Sequence, residues 1–329
     1  MKRLAVLGAG SWGTALAIAL ASRFDSIGLW ARDAERAAEI SRTRENRRYL
    51  PGLVVPDQVE ASWNLAEVLD GASIVLSVIP SQHLRALLTL AEPHVPSGTT
   101  IVSATKGLED HTHCRMSRVI AETLPERPVA VLSGPTFAKE IAAGEPAAVV
   151  IASEQTGLAE EIQRAFATPS LRFYASADVI GVELGAALKN VIAIGAGICR
   201  GLGLGSNSVA ALITRGLAEI SRLAVAMGGN PRTLSGLAGL GDLVLTATGD
   251  LSRNRFVGIQ LGQGRRLAQI LSGMNMIAEG VMTCRAAHEL GLQKNVELPI
   301  IHQMYRVLYE FKDPRLAIRE LMERPLTSE

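Results

Sequence analysis

The stretch LAVLGAGSWGTALAIALA, residues 4–21, decides how the chain is to be read. A short apolar run leads into Gly8, Gly10 and Gly13 in G-x-G-x-x-G spacing, and an alanine-rich run follows. Gly8 permits a tight turn, Gly10 lets a phosphate group approach the backbone, and Gly13 lets a helix pack on the preceding strand. Ser11 and Trp12 then stand at a helix start, where unpaired amide N–H groups attract an anion. Glycines alone make only a loop. With a strand before them and a helix after, opening a βαβ unit, they make a dinucleotide cradle.

Working outward, the runs RLAVLG, SIGLW, ASIVLSVI, TTIVSA, PVAVLS and AAVVIA are bounded by Gly, Pro or Ser and lack polar alternation. Such runs predict strands buried on both faces, hence a parallel sheet with helical crossovers. Beyond about residue 178 the strand-like runs stop. Helix-length segments rich in Ala, Leu and Gly follow, broken at GLGLGSNS, MGGNP and LAGLGD. The 329 residues are enough for two domains. The expected fold is a Rossmann-like, doubly wound α/β domain over residues 1–177 and an all-α domain over residues 178–329. The closing ERPLTSE is expected to fray.

Thirty-three basic and 32 acidic residues leave a formal charge of +1, and no basic run stands out. Nucleic acid and anionic membrane surfaces are thereby excluded as main partners. Cys114, Cys199 and Cys284 are odd in number and far apart, which argues against a disulfide framework and for a reducing cytosol. MKRLAVLGAG begins like a signal peptide, but glycines interrupt it at once, as in a strand entering a turn. HTHC brings His111, His113 and Cys114 together without a matching Cys/His pair elsewhere, so no metal is expected.

Several polar residues stand where a nucleotide-binding sheet puts its ligands. Asp33 lies 20 residues past Gly13, where an acid holds a ribose 2′-hydroxyl, and the adjacent Arg32 suits the extra phosphate of NADP. Asp33 is alternatively the N-cap of the helix AERAAEI. Lys106 in IVSATKGLED, and Gly134, Pro135 and Thr136 in AVLSGPTFAKEI, follow strands at the edge where the crevice opens. In GDLSRNRFVGIQLG, Ser252 is the expected N-cap, which puts Arg253 and Arg255 in the first helical turn. Cations are disfavoured there unless an anion, such as a phosphate, sits among the arginines, the Asn254 amide and the free N–H groups. Asp242, in GLAGLGDLVLTATG, is either a turn residue or the partner of Lys189. That lysine lies in ELGAALKNVIAIGAGI, residues 183–198, among the small Gly185, Ala186 and Ala193. A central lysine costs a membrane span roughly 2.5–3.5 kcal/mol, so this apolar stretch is read as a core helix.

Taken in order, GAGSWGTALA, LWAR, YLPG, ATKGLE, SGPTFAKE, ELGAALKNVIAIGAGI, GLGDLVLT, SRNR and AEGV resemble NAD(P)-dependent glycerol-3-phosphate dehydrogenases of the bacterial type. The resemblance runs from Gly8 to about Val281. It implies a cytosolic, usually dimeric enzyme that interconverts dihydroxyacetone phosphate and sn-glycerol 3-phosphate, using NADPH or NADH, and feeds phospholipid synthesis. It also implies a catalytic role for Lys189. Cofactor contacts would be Ser11, Trp12, Arg32, Tyr49, Lys106, Ala138, Arg253 and Glu279. Substrate contacts would be Lys106, Gly134, Thr136, Lys189, Asp242, Ser252, Arg253 and Asn254. Thr136 stands where many members have serine, and Asp33 departs from the neutral or basic residue expected beside Arg32.

On this reading a partly buried Lys189 with a lowered pKa donates the proton that an alkoxide at the substrate C2 requires. Two rivals remain from the sequence: a β-hydroxyacid dehydrogenase acting on a small carboxylate, and a catalytically silent NADP-binding regulator.

Overall fold

The computed structural model describes residues 3–274 and 278–326. Ten strands are found among them: β1 (Arg3–Leu7), β2 (Ser26–Trp30), β3 (Glu45–Asn46), β4 (Leu50–Val54), β5 (Val59–Ser62), β6 (Ile74–Ser77), β7 (Thr100–Ser103), β8 (Val129–Ser133), β9 (Ala147–Ala152) and β10 (Leu171–Ser176). Eight of them form one sheet in the order β10-β9-β8-β7-β6-β1-β2-β5, while β3 and β4 pair separately. Alternate residues of β1 feed two cores: Leu4 and Val6 pack with Leu16 and Leu20, and Ala5 and Leu7 with Val75 and Leu84. That explains the unbroken apolar runs. Strand order reverses at β1, which lies between β2 and β6, and a ligand crevice opens at the carboxyl ends there.

One expectation is corrected. The sheet is not wholly parallel: β9 runs antiparallel to β8, with Val131 opposite Ala152, and β10 lies parallel to β9. A continuous apolar run such as AAVVIA records burial on both faces and carries no information about direction. Nor did β10 stand out as a strand, because its residues alternate between buried and exposed.

After β10 every element among the described residues is a helix, the last being Pro314–Met322. The helix Val179–Gly201 is long and apolar enough to cross a membrane, yet 94% of its apolar window is buried inside the protein. It is the central helix of the second core, ringed by Ser206–Ala226, Asp242–Thr248, Arg253–Gly262 and Glu279–Gln293. The final described helix, Pro314–Met322, stops before ERPLTSE, whose last three residues lie outside the described ones. Polar ties outside the cleft join this half to the sheet half. Buried Glu183 accepts from Arg115 Nη1 at 2.6 Å and from the Ser117 amide at 2.7 Å. His113 Nε2 meets Glu289 Oε2 at 2.6 Å, which accounts for one histidine of HTHC.

Glycines let the central helix touch Arg253–Gly262 backbone to backbone. A Cβ on Gly258 would fall 1.9 Å from the Ile194 carbonyl oxygen, and one on Gly197 would fall 2.0 Å from that of Arg255. This contact sets how far the start of the second helix stands from Lys189. Gly258→Ala should therefore cost about 1–3 kcal/mol through overpacking and lower activity together with stability. An unchanged urea midpoint would show that the two helices can separate freely.

Candidate active site

Between the carboxyl edge of the sheet and the helical half lies a cleft of about 990 Å³. The glycine turn lines it. Gly8 adopts a φ of +121°, and a Cβ there would meet the Val78 carbonyl oxygen at 2.9 Å. On Gly13 a Cβ would lie 1.9 Å from the Gly8 oxygen, so the helix Ser11–Leu20 could not seat. Gly10 has nothing within 4 Å and faces open space. No side chain caps that helix, which leaves its first amides available to an anion. Ser11 Oγ donates to the Tyr49 carbonyl at 2.5 Å, bringing the residue before β4 against the cradle.

At the end of β2, Asp33 is the N-cap of the helix Ala34–Thr43. Its Oδ1 accepts from the Glu35 amide at 2.9 Å and the Arg36 amide at 3.4 Å. Of the two readings of Asp33, the cap is the one observed. Arg32 is exposed and lines the cleft.

Deep in the cleft two lysines share one carboxylate. Asp242 is fully buried; its Oδ1 accepts from Lys189 Nζ and its Oδ2 from Lys106 Nζ at 3.0 Å. Lys189 also donates to Thr246 Oγ1 at 2.9 Å, and Lys106 to the Gly134 carbonyl at 3.3 Å and Thr136 Oγ1 at 3.4 Å. The two expected polar turns thus meet through Lys106. Burial pushes Lys189 down to about 7; the Lys106 charge adds to the fall, and Asp242 opposes it. A π-helical turn, Leu237–Gly241, delivers Asp242 into its helix; such turns are frequent at functional positions. Gly134 and Asp242 stand behind the cleft wall, whereas Lys106, Thr136 and Lys189 line it.

Ser252 caps Arg253–Gly262 as expected, accepting from the Arg255 amide at 3.2 Å. The arginine pair divides, however. Arg255 turns to Asp250 at 2.7 Å, while Arg253 lines the cleft and makes no hydrogen bond or ion pair among the described residues. Two residues along a helix are rotated by about 200°, so both could not face one anion. Asn254 is buried: its Nδ2 donates to Asn190 Oδ1 and its Oδ1 accepts from the Gly280 amide, both at 3.0 Å. Glu279 and Ala138 border the same cleft. Crowding by protein pushes Glu279 up to about 7, against the pull of Arg253. Sequence reasoning missed Thr246 and Asn190. Thr246 follows Asp242 by one helical turn, a spacing that could have flagged it.

A doubly wound sheet with a glycine turn, joined to a helical half with a buried lysine between them, defines the class of two-domain nicotinamide-dependent dehydrogenases. Residues 3–159 match the family model described as the N-terminus of NAD-dependent glycerol-3-phosphate dehydrogenase, and residues 178–319 match that of its C-terminus. The chain belongs to that family. It is 54% identical over 334 residues to glycerol-3-phosphate dehydrogenase (NAD(P)+) of Koribacter versatilis, covering 100% of this chain and 99% of that one. A relative of the same name in Geobacter sp. (strain M21) is 51% identical, covering 100% of this chain and 99% of its own. Among solved structures, the glycerol-3-phosphate dehydrogenase of Coxiella burnetii is similar at a TM-score of 0.94 and 40% identity, covering 98% of this chain and 99% of that one.

Proposed function

We propose that this chain reduces dihydroxyacetone phosphate to sn-glycerol 3-phosphate with NADPH or NADH, supplying glycerophospholipid synthesis in the cytoplasm as a homodimer. The observation that carries this reading is the pair of lysines on one buried aspartate, set deep in a cleft lined by an uncapped glycine turn. We divide the chain at residues 177 and 178 into a cofactor domain and a helical substrate domain.

The residues present fit a dinucleotide: Gly10 leaves room for the pyrophosphate beside Ser11 and Trp12, and Tyr49, Ala138 and Glu279 border its path. That cofactor supplies a hydride to the carbonyl carbon C2 of the substrate. Lys189 gives its proton to the carbonyl oxygen as that oxygen gains charge, which completes the alcohol. Asp242 and Thr246 hold the ammonium in place, and Asp242 keeps two neighbouring cations compatible. Lys106 and Thr136, with Gly134 behind them, orient the polar end of the substrate. Ser252, Arg253 and Asn254 form the phosphate end; Arg253 supplies the free charge.

Mixing the protein with NADPH and dihydroxyacetone phosphate should lower the absorbance of the reduced nicotinamide. Turnover of a small keto acid instead would transfer the site to the β-hydroxyacid reading. No turnover of either would make the chain a silent binder. With Asp33 engaged as a cap, NADPH should be preferred over NADH. Arg32→Ala should narrow that preference by about 10- to 100-fold, the worth of a charged hydrogen bond, read as the ratio of kcat/KM for the two cofactors.

A further inference from the structure

We infer that Arg36, clamped on the Tyr49 ring, is a second specificity-determining residue that contacts the 2′-phosphate of NADPH together with Arg32; this rests on the proposed use of a nicotinamide dinucleotide. Arg36 is half-buried and lines the cleft beside Arg32 and Tyr49. Its guanidinium carbon lies 4.8 Å from the Tyr49 ring centroid, within the range of a cation–π contact. Tyr49 is itself tied to the glycine turn through Ser11 Oγ. The clamp therefore links Arg36 to the cradle through two contacts.

The charge balance of this corner points to a dianion. Arg44 and Arg47, a little further along, face Asp57 at 3.7 Å and Glu45 at 3.1 Å. Neither Arg32 nor Arg36 has a hydrogen bond or ion pair from its guanidinium among the described residues. The nearby acid, Asp33, has its Oδ1 on the helix amides and does not line the cleft. Two unpaired guanidinium groups line this corner of the cleft while Asp33, Glu35 and Glu39 do not, which suits a phosphate, a group that arginine grips through two parallel hydrogen bonds. A guanidinium already held against a ring also loses less freedom when it binds.

A purely structural Arg36, packing Tyr49 and nothing more, would affect both cofactors alike. The test is therefore a ratio. In Arg36→Ala, kcat/KM for NADPH relative to NADH should fall about tenfold or more, and Arg36→Ala with Arg32→Ala should fall further than either alone. Tyr49→Phe should keep the wild-type ratio and Tyr49→Leu should lower it, because only the ring holds the clamp. Calorimetry with adenosine 2′,5′-bisphosphate and adenosine 5′-monophosphate reads the same contact without turnover: Arg36→Ala should weaken the bisphosphate alone. A ratio within twofold of wild type, or equal losses for both nucleotides, overturns the inference. Should wild type bind the bisphosphate selectively yet reduce no dihydroxyacetone phosphate, the inference stands and the proposed reaction falls.

Discussion

Lys189→Ala is expected to lower kcat by about 10²–10⁴-fold, the usual worth of a positioned general acid, while NADPH binds as it does to wild type. The glycine turn, Arg32 and Tyr49 are untouched by the change, so cofactor affinity separates a lost proton donor from a damaged fold. Folding is safeguarded as well, because Asp242 keeps Lys106 at 3.0 Å and is not left as an unpaired buried charge. Lys189→Arg should not rescue, since guanidinium stays protonated near neutrality and its fork does not fit the place of a single ammonium. Retention of more than a tenth of wild-type kcat by the alanine variant would remove Lys189 from the reaction. The pH dependence follows with a definite sign. In the proposed reaction, reduction consumes the proton on Lys189, which burial has brought down to about 7, so its rate should fall as pH rises through that value. Oxidation of glycerol 3-phosphate needs the neutral amine and should rise over the same range. Parallel profiles in the two directions would assign the proton to another group.

What the sequence made legible is what the backbone or a buried charge forces on it. Gly8 and Gly13 could be read because any side chain there collides with Val78 or with the turn itself. Asp33 could be read as a cap because a helix start needs an acceptor, and Lys189 because an ammonium among small apolar neighbours needs a partner. The rest depends on relations between elements that no local pattern records. The direction of β9 is one case: its apolar run would be buried equally well either way. The roles of Arg253 and Arg255 are another, settled by the rotation of their helix, which the Gly258–Ile194 and Gly197–Arg255 contacts lock. Thr246 escaped notice for a similar reason. Threonine in an apolar helix usually returns its hydroxyl to its own backbone, as Thr246 does to the Asp242 carbonyl at 2.7 Å, and only the fold adds Lys189 to that bond.

Removing the phosphate from the substrate should cost the enzyme more than any change at the cofactor corner. If Arg253 and one further donor each give a charged hydrogen bond of about 1.5–3 kcal/mol, dihydroxyacetone should be used about 10²–10⁴-fold less efficiently than its phosphate. Part of that loss should appear in kcat, because binding energy at a remote group helps to align the reacting carbon. Arg253→Ala alone gives an ambiguous answer, since Arg253 is also proposed to touch the cofactor and lies close enough to influence Glu279. The discriminating quantity is the coupling between the two changes. In wild type the phosphate is worth its full factor; in Arg253→Ala that factor should shrink by about 10- to 100-fold, whatever happens to NADPH affinity. Asn254→Ala is a poorer probe, because it breaks the bridge from Asn190 to the Gly280 amide and disturbs the helix entry as well. If the preference for the phosphorylated substrate is as large in Arg253→Ala as in wild type, the phosphate is held elsewhere, and the free charge at the start of Arg253–Gly262 serves the cofactor alone.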